Sequence, residues 1–284
     1  MSESSESVAI TIFGRHVANW MRALDENAPV WTKLSGVRSV RVLERSSPGF
    51  DLPPDPAQGR PVLIPLLEPH IRSRPPGYFT LCPSREALDT LADKRAFAAY
   101  VRRQGLDALA PAVYDTVEEA RFPCLAKPIA RNGGQGIRLL HDREAYEAFS
   151  ASPAWAAHPH ILQAFLAEEQ DYSTYLFCRA GRIAWHRTFR YVVAPEAPIR
   201  GPVSYPASEV RTLCDAHLAD LERFLIPLAH DGPCNVDHKI LPDGTLQVLE
   251  INPRLGGSLI MPDYLDDLAA NLALVIAHAR FEPV

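Results

Sequence analysis

The sequence predicts a mixed α/β protein of the α+β type, in which a small open α/β unit precedes a larger α+β region. Two observations predict this class. In the first 83 residues, short apolar strands alternate with helical spacers, as in open α/β units. Beyond residue 105 the strands and helices no longer alternate regularly, and a strongly marked β-hairpin stands near the C-terminus. The chain of 284 residues could form one large domain or two modest ones.

Composition narrows the class of protein. A hydrophobic content of 47% and a charged content of 22% are typical of soluble globular proteins. The net charge of −5 argues against a general nucleic-acid binder, and no apolar run has the length of a membrane span. The N-terminus is too acidic for a secretory signal. The five cysteines lack a C-x-x-C pair, so we expect free thiols and a cytoplasmic location.

The first unit contains four expected strands and one helix. The helix ends at about Leu24, and the Pro-rich stretches 46–61 and 69–77 are expected to be loops. No Gly-x-Gly-x-x-Gly follows the first strand, so we do not expect a dinucleotide site there. The expected strands are 8–13, 40–43, 62–66 and 78–81.

Two capped helices open the larger region. Ser84 is expected to cap one, and Asp93 the next, which runs from Lys94 to about Gln104 and ends at Gly105. The further expected strands are 122–129, 137–140, 161–166, 173–178 and 183–189. The further expected helices are 143–150, about 208–229 and about 263–280.

The C-terminal hairpin carries a candidate metal site. Asp243 and Gly244 are expected to form a two-residue type I′ turn. Counting back from that turn pairs Asp237 with Glu250, and two opposed carboxylates need a cation or a shared proton. The same count pairs Asn235 with Asn252, Lys239 with Val248 and Ile240 with Gln247. Strand alternation then puts Val236, Ile240, Leu249 and Ile251 on a core face and the polar residues on the other.

Oxygen donors on one face suit Mg²⁺, or Mn²⁺, better than zinc. Taken alone, the hairpin is equally consistent with two carboxylates on a solvated face.

A second segment has a strand that ends at Lys127 and a loop with Gly133, Gly134 and Gly136. Glycines let backbone N–H groups turn toward a phosphate, although an ordinary flexible turn explains the loop alone at least as well. A third segment, 161–171, is an apolar strand that runs into acidic residues. It could hold adenine and a ribose, or be a buried strand with a polar end.

In order, these segments resemble the ATP-grasp superfamily, from about residue 84 to the C-terminus. The most specific run is Glu-Ile-Asn-Pro-Arg-x-Gly-Gly-Ser, which begins at Glu250. The resemblance implies a preceding α/β domain over 1–83 and an ATP-grasp domain over 84–284. The latter would comprise a lid subdomain over about 110–162 and a metal-binding subdomain over about 163–284. The matching segments are Asp93-Lys94, Lys127 with Gly133-Gly134-Gln135-Gly136, Gln163-Ala164-Phe165-Leu166, and Asp237 with Glu250-Ile251-Asn252-Pro253-Arg254.

The resemblance also implies roles for these residues. Lys94 and Lys127 would hold the phosphates of ATP, and the loop from Asn132 to Gly136 would close over them. The backbone of Ala164, Phe165 and Leu166 would meet adenine, with Gln163 beside it. Asp171 would bind the ribose, with Glu169 as the alternative. Gln170 stands at the distance beyond the adenine segment where the superfamily usually has its ribose carboxylate. Glu250 would bridge two Mg²⁺ ions, with Asp237 on one ion and Asn252 on the other. Arg254 would touch the γ-phosphate and the developing acyl phosphate.

The implied reaction is ATP-dependent ligation of a carboxylate to an amine, with release of ADP and phosphate. The alternatives are phosphotransfer to a stable product and a non-catalytic nucleotide-binding module. The expected partners are a small-molecule acid and amine, with a homodimer left open. Glu68 and His70 follow a strand end where open α/β sheets bind ligands, although a plain loop explains them better. Arg190 and Arg254 could each bind a carboxylate, and Ser258 closes the specific run.

Overall fold

The structure is a computed structural model that describes residues 7–47, 50, 54–129, 133–193, 199 and 209–283. Within these residues the chain forms three sheets. All five cysteines are free thiols. Across the described part of the chain, none of the helices combines the length and the apolar character that a bilayer crossing requires.

The first sheet is open, and its strands β1 to β4 pair in parallel. Its elements are β1 (Val8–Phe13), α1 (Ala18–Leu24), β2 (Val37–Leu43), β3 (Arg60–Pro65), α2 (Glu68–Arg72) and β4 (Phe79–Thr80). Strand β1 lies between β2 and β3 and runs parallel to both. The chain therefore adds β2 on one side of β1 and then crosses to add β3 on the other side. The four expected strands are confirmed, but α2 occupies part of a stretch that was expected to be a loop.

Two helices follow, α3 (Arg85–Ala92) and α4 (Lys94–Arg103). The Ser84 hydroxyl accepts a hydrogen bond from the Ala87 amide at 3.1 Å, and the Asp93 carboxylate accepts one from the Ala96 amide at 2.8 Å. Each cap satisfies an N–H group that has no partner within its helix. Both predicted caps are confirmed, and the Asp93 cap places Lys94 at the first helical position.

The second sheet is small and antiparallel. Its region comprises β5 (Val113–Tyr114), β6 (Cys124–Pro128), β7 (Arg138–Leu140), α5 (Arg143–Ser150), α6 (Pro153–Ala156) and β8 (His160–Ala164). The strand order is β5-β8-β6-β7. A separate cluster of buried side chains, including Cys124, Leu140 and Leu162, packs beneath it.

The third sheet carries the hairpin. Its region comprises β9 (Gln170–Arg179), β10 (Arg182–Val192), β11 (Glu209–Arg211), α7 (Asp215–Leu225), β12 (Gly232–Ile240), β13 (Leu246–Asn252), α8 (Leu265–His278) and β14 (Arg280–Phe281). The order is β11-β10-β9-β12-β13. Strand β14 instead pairs antiparallel with β4, so the C-terminal segment extends the first sheet. A shared core joins the first and third sheets through α8, with Ile12, Phe177 and Leu272 fully buried.

The predicted helix over 208–229 is wrong at both ends. Residues 209–211 form an edge strand against β10, where Glu209 accepts hydrogen bonds from Arg190 and Arg211. The helix begins only at Asp215 and gives way to a 3₁₀ turn at Ile226, because Pro227 has no N–H for the helical ladder. Pairing with β10 has overridden the helical pattern of the sequence.

The predicted register of the hairpin is right at one end and wrong at the other. Asp237 opposes Glu250 and Asn235 opposes Asn252, as predicted. Lys239, however, opposes Gln247 rather than Val248, and Ile240 opposes Leu246 rather than Gln247. The turn is not type I′, because only Gly244 of the predicted pair has a positive φ, at 86°.

Two irregularities cancel each other along the hairpin. The turn closes with a 2.8 Å hydrogen bond from the Gly244 amide to the Leu241 carbonyl, which shifts the count by one residue. A bulge between Asp237 and His238 leaves Leu249 as the extra residue of the facing strand and shifts the count back. Leu249 therefore lines a cleft instead of the predicted core face.

Candidate active site

A cleft of about 410 Å³ collects most of the predicted site residues. Lys94 lines an adjoining cavity of about 90 Å³, which shares Lys127, Gln163 and Leu249 with the cleft. Gly136, Glu169, Glu68, His70 and Arg190 lie outside the cleft lining. Asn132 lies outside the described residues. The predicted residues that line the cleft are Lys127, Gly133, Gly134, Gln135, Gln163, Ala164, Phe165, Leu166, Asp171, Asp237, Glu250, Asn252, Arg254 and Ser258.

Two lysines converge on the Glu250 carboxylate. Lys94 Nζ lies 3.4 Å from Glu250 Oε2, and buried Lys127 donates a hydrogen bond to Gln163 Oε1 at 3.1 Å. Burial alone would raise the pKa of Glu250, but Lys94 and Lys127 outweigh it and hold the pKa at about 2. Burial lowers the pKa of Lys127, although Glu250 opposes this effect. Glu250 is therefore ionised at neutral pH, with a positive environment on one side.

Asp237 and Glu250 form the centre of the candidate metal site. Ser173 donates a hydrogen bond to Asp237, and the amide nitrogen of Asn252 lies 3.3 Å from Glu250 Oε1. The side-chain oxygen of Asn235 is buried with no hydrogen-bond partner among the described residues. These oxygens are hard donors of the kind that Mg²⁺ and Mn²⁺ prefer, so the residues fit such an ion.

The described residues hold no group of three or more histidine, cysteine or acidic side chains that could enclose a metal. Magnesium usually takes one or two protein carboxylates and completes its shell with phosphate oxygens and water. Two carboxylates beside two lysines therefore suit an ion that arrives with a phosphate group.

Strand β8 offers backbone and apolar surface. The Ala164 amide donates to the Ala112 carbonyl at 2.8 Å, which anchors the end of β8. Leu125, Ile137 and Leu249 face the same cleft, although the sequence patterns did not single them out as site residues. Leu249 was missed because the bulge that turns it toward the cleft has no local sequence signal.

The glycines of the Gly-rich loop have left-handed backbone conformations. Gly133, Gly134 and Gly136 have φ values of 64°, 72° and 76°, which residues with a Cβ rarely adopt. A Cβ at Gly133 would meet nothing within 4 Å. The glycines therefore serve the loop's left-handed turns.

The two candidate ribose carboxylates have different surroundings. Asp171 is buried, lines the cleft and lies 2.7 Å from Lys239 Nζ. The same ammonium group donates to the Glu168 carbonyl. Glu169 is exposed, and its carbonyl accepts a hydrogen bond from the Val193 amide at 2.8 Å. The position of Asp171 favours it for a ligand contact, and its role stays a prediction.

Arg254 is paired across the molecule. Its Nε donates to Glu68 Oε1 at 3.1 Å, across 186 residues of sequence. The two side chains are only 10% and 11% exposed. Nη1 of Arg254 donates to the Leu255 carbonyl at 3.0 Å. Arg254 lines the cleft and Glu68 does not, so the carboxylate lies behind the guanidinium.

The other residues that the sequence suggested for substrate contact lie in three different environments. The His70 ring packs so closely on the Gly14 backbone that a Cβ at Gly14 would collide with it, and burial lowers the pKa of His70. Arg190 pairs with Glu209 at the edge of the third sheet. Ser258 lies in the cleft, where its amide donates to the Tyr175 hydroxyl at 3.0 Å.

Three cleft residues that the sequence patterns missed follow β1, two of them in the turn and one in α1. His16, Val17 and Trp20 line the cleft near Arg254, and the His16 and Trp20 rings stack with centroids 4.8 Å apart. One available signal was their position after the first strand of an open α/β unit, where ligands often bind.

Comparison with models of known protein families finds no match. Among curated proteins, the chain is 27% identical over 184 residues to the carbamoyl phosphate synthase large chain of Mycobacterium sp. (strain JLS). The same protein of Mycobacterium tuberculosis (strain H37Rv) is 26% identical over 182 residues. Each alignment covers 60% of this chain but only 16% of the relative, so the chain spans about a sixth of these proteins.

Solved structures resemble nearly the whole chain. The L-amino acid ligase from Bacillus licheniformis has a TM-score of 0.63 at 13% identity and covers 98% of this chain and 76% of its own. The D-alanine–D-alanine ligase from Bacillus anthracis, complexed with ATP, has a TM-score of 0.59 at 14% identity, over 96% and 95%. A D-cycloserine synthetase has a TM-score of 0.61 at 14% identity, over 94% and 99%. At such identities the likeness shows the fold, and it confirms the fold class expected from the sequence.

Proposed function

We propose that this chain, whose fold is that of the ATP-grasp ligases, is an ATP-dependent carboxylate–amine ligase. It activates a carboxylate as an acyl phosphate, joins the acyl group to an amine, and releases ADP and phosphate. One observation carries the proposal: a single cleft brings Lys127, Asp237, Glu250 and Arg254 together, with Lys94 beside Glu250. Such a combination of cations and metal-binding oxygens suits phosphoryl transfer.

The nucleotide occupies the part of the cleft between the second and third sheets. Adenine lies against the backbone of Ala164 to Leu166, between apolar Leu125 and Leu249, which line the same cleft. Asp171 binds the ribose. Lys94, Lys127 and the Gly-rich loop hold the phosphates, because ammonium groups and backbone amides are suited to phosphate oxygens.

Asp237, Glu250 and Asn252 hold Mg²⁺ in this proposal, with two ions favoured and Mn²⁺ as a substitute. Held by these residues, the ions would supply positive charge that offsets the negative charge of the phosphate groups. The low pKa of Glu250 suits this role, since the carboxylate needs no proton removed before it binds a cation.

The reaction has two transfers. First, a carboxylate oxygen of the acid forms a bond to the γ-phosphorus, and the bond to the β–γ bridging oxygen breaks with its electron pair leaving on ADP. Second, the amine nitrogen bonds to the acyl carbon, and the carbon–oxygen bond to phosphate breaks. Phosphate leaves with that electron pair and takes up the proton of the amine. Lys127 and Arg254 stabilise the charge on the transferred group, and a closed cleft keeps water from the acyl phosphate.

The test is a screen of Mg-ATP with a panel of acids, each with and without a panel of amines. We expect ADP release that requires both an acid and an amine, and a product whose mass equals their sum less water. A stable phosphorylated product formed without any amine would contradict ligation. No ADP from any combination would contradict catalysis.

Two expectations, on cellular location and on assembly, complete the proposal. The protein is expected in the cytoplasm, where its free thiols stay reduced, and cell fractionation measures this. The homodimer is left open, and light scattering during size-exclusion chromatography gives the mass of the assembly.

A further inference from the structure

The first sheet presents a crevice to the cleft at its strand ends. In this sheet β1 and β3 are neighbours. The chain continues from β1 to β2 on one side and from β3 to β4 on the other, so the β1–β3 junction is a topological switch point. The turn after β1 contributes His16 and Val17 there, and the segment after β3 contributes Glu68. Arg254 from the hairpin region closes the crevice through its pair with Glu68.

The tautomer of His16 is fixed by its neighbour. The Val17 amide donates a hydrogen bond to His16 Nδ1 at 2.7 Å. A ring nitrogen that accepts a hydrogen bond carries no proton, so the neutral ring carries its proton on Nε2. The ring also stacks on Trp20, with an angle of 23° between the planes, which fixes its orientation.

The Nε2–H group is available to a bound molecule. No described residue accepts a hydrogen bond from His16 Nε2, and the half-buried side chain lines the cleft. The same tautomer excludes His16 as a base toward the amine. One ring nitrogen is engaged by the Val17 amide and the other already carries a proton.

The surroundings keep the ring uncharged. Burial lowers the pKa of His16, Arg254 and His70 lower it further, and Glu68 raises it in part. A proton on Nδ1 would also face the Val17 amide hydrogen, which is a repulsive arrangement. The neutral donor form is therefore the form present at neutral pH.

We propose that His16 is a catalytic hydrogen-bond donor, whose Nε2–H binds the carbonyl oxygen of the activated acid in this crevice, next to Arg254. The inference rests on the proposed function and adds a residue to it. When the amine nitrogen bonds to the acyl carbon, the π pair of the C=O bond moves onto this oxygen. The pair returns as phosphate leaves, and His16 loses no proton at any stage. A fixed donor at such an oxygen stabilises the transition state because it needs no reorganisation.

The first test determines the tautomer of the His16 ring in the absence of substrate. Nitrogen NMR of the full-length chain with labelled histidines distinguishes protonated from unprotonated ring nitrogens, and His16→Gln assigns the signal by removing it. We expect Nε2 protonated and Nδ1 unprotonated between about pH 7 and 8. A proton on Nδ1, or a doubly protonated ring in that range, would overturn the proposal.

The second test separates a donor from a base and from a structural ring. His16→Phe keeps a flat ring against Trp20 and removes the donor, so we expect kcat to fall by on the order of 10²-fold, with the KM for ATP unchanged. His16→Gln places an amide N–H near the position of Nε2 and cannot act as a base. We expect it to recover activity to within about tenfold of the unsubstituted enzyme. His217→Phe, the same change outside the cleft, is the matched control and should leave kcat unchanged.

The outcomes are distinguishable. Full activity in His16→Phe, or equal loss in His16→Phe and His16→Gln, would overturn the donor role. If His16→Phe does not fold, the glutamine variant and the NMR measurement decide the proposal. Failure of the ligase function itself would show as an unsubstituted enzyme that forms no ADP with any acid and amine.

Discussion

The two ends of the cleft are built in different ways. At one end, called the metal end because it holds the candidate metal site, Asp237 and Glu250 belong to one hairpin and meet because their strands pair directly. At the crevice end, Glu68 and Arg254 meet across 186 residues, and only the docking of the first sheet brings them together. Local pairing can be counted from a sequence, whereas docking depends on the packing of whole sheets. The metal end should therefore tolerate changes in the first sheet, and the crevice end should not.

The largest effect is expected from Glu250→Gln. The change removes the carboxylate that lies beside both lysines and that the proposed function assigns to the metal, so we expect kcat to fall by at least about 10³-fold. Steady-state assays of ADP release measure it. Asp243→Asn, on the exposed turn of the same hairpin, is the matched control and should keep activity. Equal losses in both variants would mean that the hairpin responds as a whole and that Glu250 has no special role.

Glu68 tests the crevice end. Glu68→Ala leaves a buried guanidinium without its partner and should cost about 3 kcal/mol of unfolding free energy. Glu68→Gln keeps an acceptor for Arg254 Nε, so we expect a smaller stability loss and a fall in kcat/KM of about tenfold. Urea unfolding and steady-state kinetics measure the two effects.

The control for Glu68 is Glu44→Gln, because Glu44 pairs with Arg15 in a more exposed position. We expect it to change the unfolding free energy by less than about 1 kcal/mol. If Glu68→Gln affects activity no more than Glu44→Gln, the first sheet does not set the position of Arg254.

The pH dependence of stability sharpens the description of the metal end. Lys94 and Lys127 overcome the effect of burial and depress the folded-state pKa of Glu250 to about 2, below the unfolded value of about 4.3. This contribution to the unfolding free energy is complete above the unfolded pKa and is lost as the pH falls toward 2. Urea unfolding between about pH 5 and pH 3 should show a smaller loss of stability in Glu250→Gln than in the unsubstituted chain. Identical slopes would contradict the pairing.

The smallest effect is expected at the hairpin turn. Gly244 has a φ of 86° with open space around it, so Gly244→Ala should cost about 1 kcal/mol through backbone strain alone. The bulge at Leu249 separates the turn from Asp237 and Glu250, so kcat should stay unchanged. Thermal unfolding and kinetics check both parts. A large loss of activity would mean that the turn controls the spacing of the metal residues.

The sequence predicted local features better than tertiary ones. The caps at Ser84 and Asp93 follow from side-chain chemistry within one turn and are confirmed. The Asp237–Glu250 pairing is also confirmed, although the assumed turn was wrong, because the bulge restored the count. The helix predicted from residue 208 failed because an edge strand offered a competing partner that no local pattern reveals.

The sequence named many of the cleft residues but not their tertiary partners. Glu68 and Arg254 were each candidates, yet nothing in either segment signals that they form an ion pair. His16 was missed because its role depends on one amide hydrogen bond and on a crevice made by strand order. Such features arise only when the sheets are assembled.

The return of β14 to the first sheet makes that sheet discontinuous in sequence. Strand β14 covers the edge of β4, and Glu282 binds Arg74 on the same side. An excised segment 1–83 would therefore expose the backbone hydrogen-bonding groups of β4, and an exposed edge strand favours self-association. Recombination with proteins of the same fold should exchange the first 83 residues and the C-terminal strand as one block.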